Sequence, residues 1–256
     1  MPLILFTFVF VFGLIIGSFA NVLIYRLPLG ISMLISRSFC PGCKKTIYWY
    51  ENIPIFSFLF LRGKCSSCSI KIPYQYPIVE LAVAILAVAL FPSRLDYDSM
   101  IRFVMNLSVA VVFLSMFIID LRYKIIPNQL NLYLGILFLA YAIIFLPLSY
   151  WLVGTLIGLG FPALITWLFY LLRGEIGLGG GDIKLFGVLG IYLGPMGIIH
   201  NIFLSCLLGS LVGVLLILTK RLNRKNPIPF GPFIIIIASF QIFFPHDFAK
   251  LISLIN

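Results

Sequence analysis

Charge is what this chain has least of. Lys, Arg, Asp and Glu together make up 10% of its 256 residues, against 62% hydrophobic ones, and the mean hydropathy is +1.14. Soluble domains carry about a quarter charged residues, so the composition excludes one and implies an integral membrane protein. Acidic side chains are the scarcest, eight in all, which makes each one near a membrane span worth explaining. A basic stretch ahead of the first apolar run is also missing. That run exceeds the usual signal-peptide core, so it reads as a retained span rather than a cleaved leader. Internal repeats are absent too.

What fills the chain is apolar runs near the roughly 20 residues a spanning helix needs. Eight are expected, at 3–25, 74–92, 103–120, 130–146, 151–172, 183–197, 199–219 and 228–245. The sixth is the shortest. It is separated from the seventh only by Gly194-Pro195-Met196-Gly197, where Pro and Gly together mark a turn. With the amino terminus outside, alternation puts Arg26, Arg37, Lys44, Lys45, Arg62, Lys64 and Lys71 in the first inner loop. The later inner loops receive Arg122 and Lys124, then Arg173 and Lys184, then Lys220, Arg221, Arg224 and Lys225. Only Arg94, Arg102 and Lys250 remain outside, as the positive-inside rule requires. The net charge of +10 thus reflects topology and anionic lipid rather than nucleic-acid binding. The expected fold is all-α, about eight spans plus one small cytoplasmic lobe. The expected domains are a first span at 1–26, the lobe at 27–73 and a membrane domain at 74–256.

Cysteine is nearly absent, yet four of the five fall in that lobe as Cys40-x2-Cys43 and Cys65-x2-Cys68. Two thiolate pairs at this spacing suit one structural, tetrahedral Zn2+, each pair supplied by a tight knuckle, in a zinc-ribbon-like lobe. On the reducing side of a membrane, disulfides are disfavoured. Two unrelated turns with free thiols are the plainer alternative. Four sulfurs would close the coordination shell and leave no catalytic position, so the metal would hold together a lobe too small for a core of its own. Cys206, alone in an apolar run, reads as a small buried hydrophobe.

Of the acidic residues, Asp96, Asp98 and Asp247 fall in outer loops and Glu51 in the lobe. Glu80, Asp120, Glu175 and Asp182 lie at or near span ends on the inner side. Each can cap a helix or pair with a neighbour, Arg122 or Lys124 for Asp120 and Lys184 for Asp182. Two Asp at one depth, one of them following glycines in Gly177-Leu-Gly-Gly-Gly181-Asp182, point instead to a reacting pair. Asp182 opens a helix, where the dipole favours a carboxylate; Asp120 ends one, where it does not. Like charges brought together share one proton, so one carboxylate can activate water while the other, as an acid, polarises the scissile carbonyl. Asp182 leans to the base and Asp120 to the acid, as a preference within a coupled pair.

At these residues the chain resembles the prepilin peptidase family, also called type IV leader peptidases, polytopic aspartic proteases of the GxGD type. The resemblance runs through GSFANVLIYRLP (17–28), the tetracysteine lobe with YENIP and LRGKC, YPIVEL (76–81), the Asp120 segment to Pro127-Asn128, GLGGGDIKL (177–185) and IPFGPF (228–233). It implies Asp120 and Asp182 as the catalytic residues, with Gly179 and Gly181 in the GxGD loop. The implied substrates are prepilins and pseudopilins, cut between a cytoplasmic basic leader and a membrane-embedded helix at the inner face of a bacterial cytoplasmic membrane. The four cysteines further imply the bifunctional form, which methylates the new amino terminus, usually Phe, from S-adenosylmethionine. Glu51, Arg62, Gly63 and Lys64 match family positions in the lobe, and Glu175 matches a position often acidic. Glu80 is a structural partner for lobe bases or part of the site. No GxGxxG cofactor loop is present. A peptidase-only member, a proton- or cation-coupled transporter and a membrane scaffold with a partner-binding lobe are the competing readings. Oligomeric state and the particular pilin are not encoded legibly.

Overall fold

The structure is a computed structural model that describes residues 3–32, 38–175, 177–219 and 228–255. Five of the basic residues behind the orientation, Arg37, Lys220, Arg221, Arg224 and Lys225, lie outside the described residues. The helices are α1 (Leu3–Arg26), α2 (Phe56–Phe60), α3 (Gln75–Leu90), α4 (Tyr97–Tyr123), α5 (Asn128–Phe145), α6 (Leu148–Arg173), α7 (Gly180–Leu218), α8 (Gly231–Phe243) and α9 (Pro245–Ile255). No strand longer than an isolated bridge occurs among the described residues. The chain forms two compact units, 1–115 and 116–256.

By length and composition five helices can cross a membrane, α1, α4, α5, α6 and α7, and α8 with α9 makes a sixth if that pair, bent by 107°, is one span. α3 is apolar but has only 16 residues. The expected eight runs all fall on helix, and α7 absorbs two of them. Its 39 residues do not run straight. The Phe230 ring lies 6.3 Å from Phe186 on the first limb, and a Cβ on Gly209 of the second limb would stand 3.2 Å from the same ring. In a straight helix residues 186 and 209 would be about 35 Å apart. The limbs therefore fold back on each other at Gly194, whose φ of 68° and ψ of −174° leave the helical region. Only glycine adopts that conformation without strain. The Tyr150 hydroxyl donates to the Leu193 carbonyl at 2.8 Å, serving an acceptor at the bend. The turn sits where Gly-Pro-Met-Gly placed it.

Lipid gives helices no hydrophobic reason to associate, so close backbone packing and buried hydrogen bonds do the work. In the first unit Gly13 and Gly17 of α1 meet Ala84 and Glu80 of α3 backbone to backbone. In the second, Gly154 of α6 lies so close to Gly190 of α7 that a Cβ on either would strike the other's carbonyl oxygen. The second limb is tied to α8 by polar groups. Asn201 donates to Gln241 Oε1 at 2.8 Å, and Gln241 Nε2 to the Gly197 carbonyl at 2.8 Å, with Asn201, Ser205 and Gln241 all buried.

Candidate functional site

In the carboxyl-terminal unit, α4 ends three residues after Asp120, and Asp182 occupies the first turn of α7. Ile126, in the link from α4 to α5, joins the two ends. A Cβ on Gly181 would stand 3.0 Å from Ile126 Cβ, and one on Gly231 would stand 3.0 Å from Ile126 Cδ1 and 2.8 Å from Asp120 Oδ2. The GxGD turn, the carboxyl end of α4 and the amino end of α8 therefore converge on one point. The Asp120 and Asp182 carboxyl groups are close enough to interact electrostatically.

Neither aspartate has the basic partner that would make it merely structural. Among the described residues the ion pairs are Lys45–Glu51 and Lys250–Asp247. Lys184 reaches Asn128 Oδ1 at 2.8 Å instead of Asp182, and Arg122 and Lys124 are exposed. Asp120 Oδ2, Asp182 Oδ1 and Asn131 Oδ1 are buried with no hydrogen-bond partner. Leaving buried polar atoms unpaired costs about 1–3 kcal/mol each. Their coincidence marks a place shaped for something else to bind there. The helix ends act on both members of the pair: Asp182 lies at the positive amino end of α7, and Asp120, near the negative carboxyl end of α4, faces the positive amino end of α8.

Two contributors to this place, Asn131 and Ile126, had no role assigned from the sequence. Asn131, on the buried side of α5, donates to the Gly181 carbonyl at 3.2 Å and so holds the GxGD turn. Its signal was an amide at the start of an otherwise apolar run, just after Asn128 and Gln129. Ile126 gave none. Gly231, in IPFGPF (228–233), reaches Asp120 from the start of α8, so that motif lines the site. Glu175, in contrast, is exposed in the bend after α6 and makes no hydrogen bond or ion pair among the described residues.

In the amino-terminal unit the cysteines form a second centre. The sulfurs of Cys40, Cys43, Cys65 and Cys68 all lie within 4.8 Å of one another, with Cys40–Cys68 at 3.8 Å and Cys43–Cys65 at 4.0 Å. Four sulfurs about 2.3 Å from one zinc would stand about 3.8 Å apart, so the cluster suits a tetrahedral metal. The two knuckles are built alike. The Cys40 N–H donates to Lys45 O and the Cys65 N–H to Ile70 O, both at 2.9 Å, and Lys44 and Ser69, each following the second cysteine of its pair, have φ of 60° and 56°. Backbone amides of Cys68 and Ser67 aimed at the Cys65 sulfur lower its thiol pKa to about 6, while burial and the neighbouring thiols raise that of Cys68 to about 11, so these two thiols ionise unequally.

Glu51 is committed to this lobe. It accepts from the Ser66 hydroxyl and, at 2.9 Å, from the Tyr48 N–H, closing a capping box. Arg62 and Lys64 are exposed, and Gly63 turns the chain at φ 66° over the Phe58 ring. Glu80 is buried and forms no ion pair among the described residues; it accepts the Ile55 N–H at 2.7 Å.

A pair of aspartates between helix ends, one buried and one half-buried, belongs to the chemistry of aspartic hydrolases, set here in a multi-pass membrane protein. Comparison with known proteins gives the particular family. Residues 11–93 match the bacterial peptidase A24 N-terminal domain, and residues 107–214 match the type IV leader peptidase family. A prepilin leader peptidase/N-methyltransferase of Bacillus subtilis (strain 168) is 41% identical over 232 residues, 87% of this chain and 88% of its own length. Proteins of the same name from Xanthomonas campestris and Aeromonas hydrophila are 35% and 34% identical over 263 residues, covering 91% and 92% of this chain and 88% and 89% of theirs. No solved structure matches. The chain belongs to the type IV leader peptidase family.

Proposed function

We propose that this protein is a prepilin leader peptidase that also N-methylates its product. The observation that carries the reading is the convergence of two aspartates at the GxGD turn, each with one buried carboxylate oxygen left without a hydrogen-bond partner, in a chain of this family. In the proposed reaction Asp182, as carboxylate, takes a proton from water, and the resulting hydroxide attacks the scissile carbonyl carbon. Asp120, protonated, polarises the carbonyl oxygen and then gives its proton to the leaving amine as the C–N bond breaks. The exposed glycines before Asp182 leave room for an extended peptide backbone.

The substrates are prepilins and pseudopilins with a basic leader on the inner face of the bacterial cytoplasmic membrane and an apolar helix within it. The amino terminus of the enzyme lies outside, and residues 27–73 form the lobe used in methylation, held by a structural Zn2+ on the four cysteines. S-adenosylmethionine supplies a methyl group from its sulfonium to the new amino nitrogen, which loses a proton. Arg62 and Lys64 match its carboxylate in charge and keep their side chains exposed.

Incubating the purified protein in detergent with a precursor pilin is expected to give a shorter product. Labelled S-adenosylmethionine in the same mixture is expected to mark only the cleaved pilin. If a control peptidase cuts the precursor and this protein does not, a transporter or scaffold role replaces the peptidase. Cleavage without label leaves a peptidase-only member.

A further inference from the structure

The segment between the two cysteine pairs carries apolar surface that its own lobe does not use. Trp49, Phe56, Leu59 and Phe60 are largely exposed, Phe60 by 93%. On a water-facing lobe so many apolar side chains in one short stretch would call for a partner.

Two observations within the amino-terminal unit identify what covers them. Trp49, Ile53 and Phe56 line a cavity of about 490 Å³ whose other wall is α1 from Val11 to Val22. Measured back from Arg26, where α1 ends, that wall runs from about 6 to about 22 Å along the helix. The second observation is the contact between Ile55 and Glu80. Ile55, with φ of 61°, donates its N–H to Glu80, and Gly17 of α1 packs directly on the Glu80 Cα. Gly17 is about 13 Å in from Arg26 along α1. The start of α2 thus lies beside the spanning helix, not beyond its end.

At that depth no water serves a free backbone N–H, so the protein must supply the acceptor. The Glu80 carboxylate does so, which accounts for a buried acidic group with no ion pair among the described residues. Trp49 lies just ahead of the dip, where an amphipathic ring favours the headgroup level.

We propose that residues 53–60 are a re-entrant segment seated in the lipid leaflet at the Arg26 end of α1. Phospholipid acyl chains cover Phe56, Leu59 and Phe60 and fill the cavity against α1. The lobe is anchored in the bilayer through its own loop as well as through α1 and α3. This holds whichever reaction the protein performs.

The test uses the full chain in phospholipid vesicles. Wild-type protein is exposed to hydroxyl radicals generated in the water, and oxidation of Phe56 and Phe60 is read by mass spectrometry. Both are expected to stay unoxidised in vesicles while exposed lobe residues such as Tyr48 react. Oxidation to the same extent as Tyr48 overturns the proposal. Protection that disappears on diluting protein into excess lipid also overturns it, in favour of a second copy of this chain. In the W151F/W167F variant, which keeps only Trp49, lipids spin-labelled high on the acyl chain are expected to halve the emission while aqueous iodide leaves it nearly unchanged. The reverse pattern overturns the proposal.

Discussion

The two units treat their reactive side chains in opposite ways. In the first, the four sulfurs lie in tight turns, mutually in reach and able to close a metal's coordination shell with nothing left over. Glu51 likewise accepts from Tyr48 and Ser66, and Glu80 from the Ile55 N–H. In the second, Asp120, Asp182 and Asn131 each keep a buried oxygen unpaired. Satisfied groups hold structure together; unsatisfied ones, stable only because the surrounding helices fix them, are left for a substrate.

The sharpest break in that contrast comes from the aspartates. Asp120→Asn or Asp182→Asn is expected to lower cleavage of a precursor pilin by about a thousand-fold or more, since either change removes a general acid or base. The protein should remain in the membrane at normal levels. Full activity in either variant would end the dyad assignment. Gly181→Val comes next. Its Cβ would press on Ile126 at 3.0 Å and on the Ile126 carbonyl at 3.2 Å, so the turn must shift. A displacement of about 1 Å can cost about a hundred-fold in rate, and cleavage assays with matched membrane levels would read it.

Replacing Cys40 and Cys68 by Ser sharpens the comparison from the other side. Bound metal, measured by elemental analysis of purified protein, and methyl transfer are expected to disappear, while cleavage falls by much less than in the aspartate variants. Equal loss of both activities would mean the units do not function separately. The smallest effect is expected from Tyr150→Phe, which removes the hydroxyl donated to Leu193 at the bend of α7. About 1 kcal/mol of stability should be lost, seen as a modest fall in the unfolding temperature in detergent, with cleavage retained.

The cysteine pairs and the two aspartates could be read from sequence because their chemistry is local. A CxxC knuckle and a glycine turn into a carboxylate are each complete within a few residues. The bend at Gly194 was legible for the same reason, Gly and Pro being adjacent in the chain. Asn131 and Ile126 were not, because each matters only through a neighbour far away in sequence. Glu80 is the clearest example. Its neighbours in the chain suggested a partner among Arg62, Lys64 and Lys71, but it is met by a backbone N–H twenty-five residues earlier.

The sequence alone determined that this chain lives in a membrane, which runs form helices and which side chains carry chemistry, since hydropathy, helical period and ligand type are properties of short stretches. The tertiary structure decided that α7 doubles back, that the two carboxylates meet unpaired, and that part of the lobe lies alongside α1. Those outcomes depend on backbone contacts between glycines and small residues on different helices, and nothing in one stretch records which other stretch will approach it that closely.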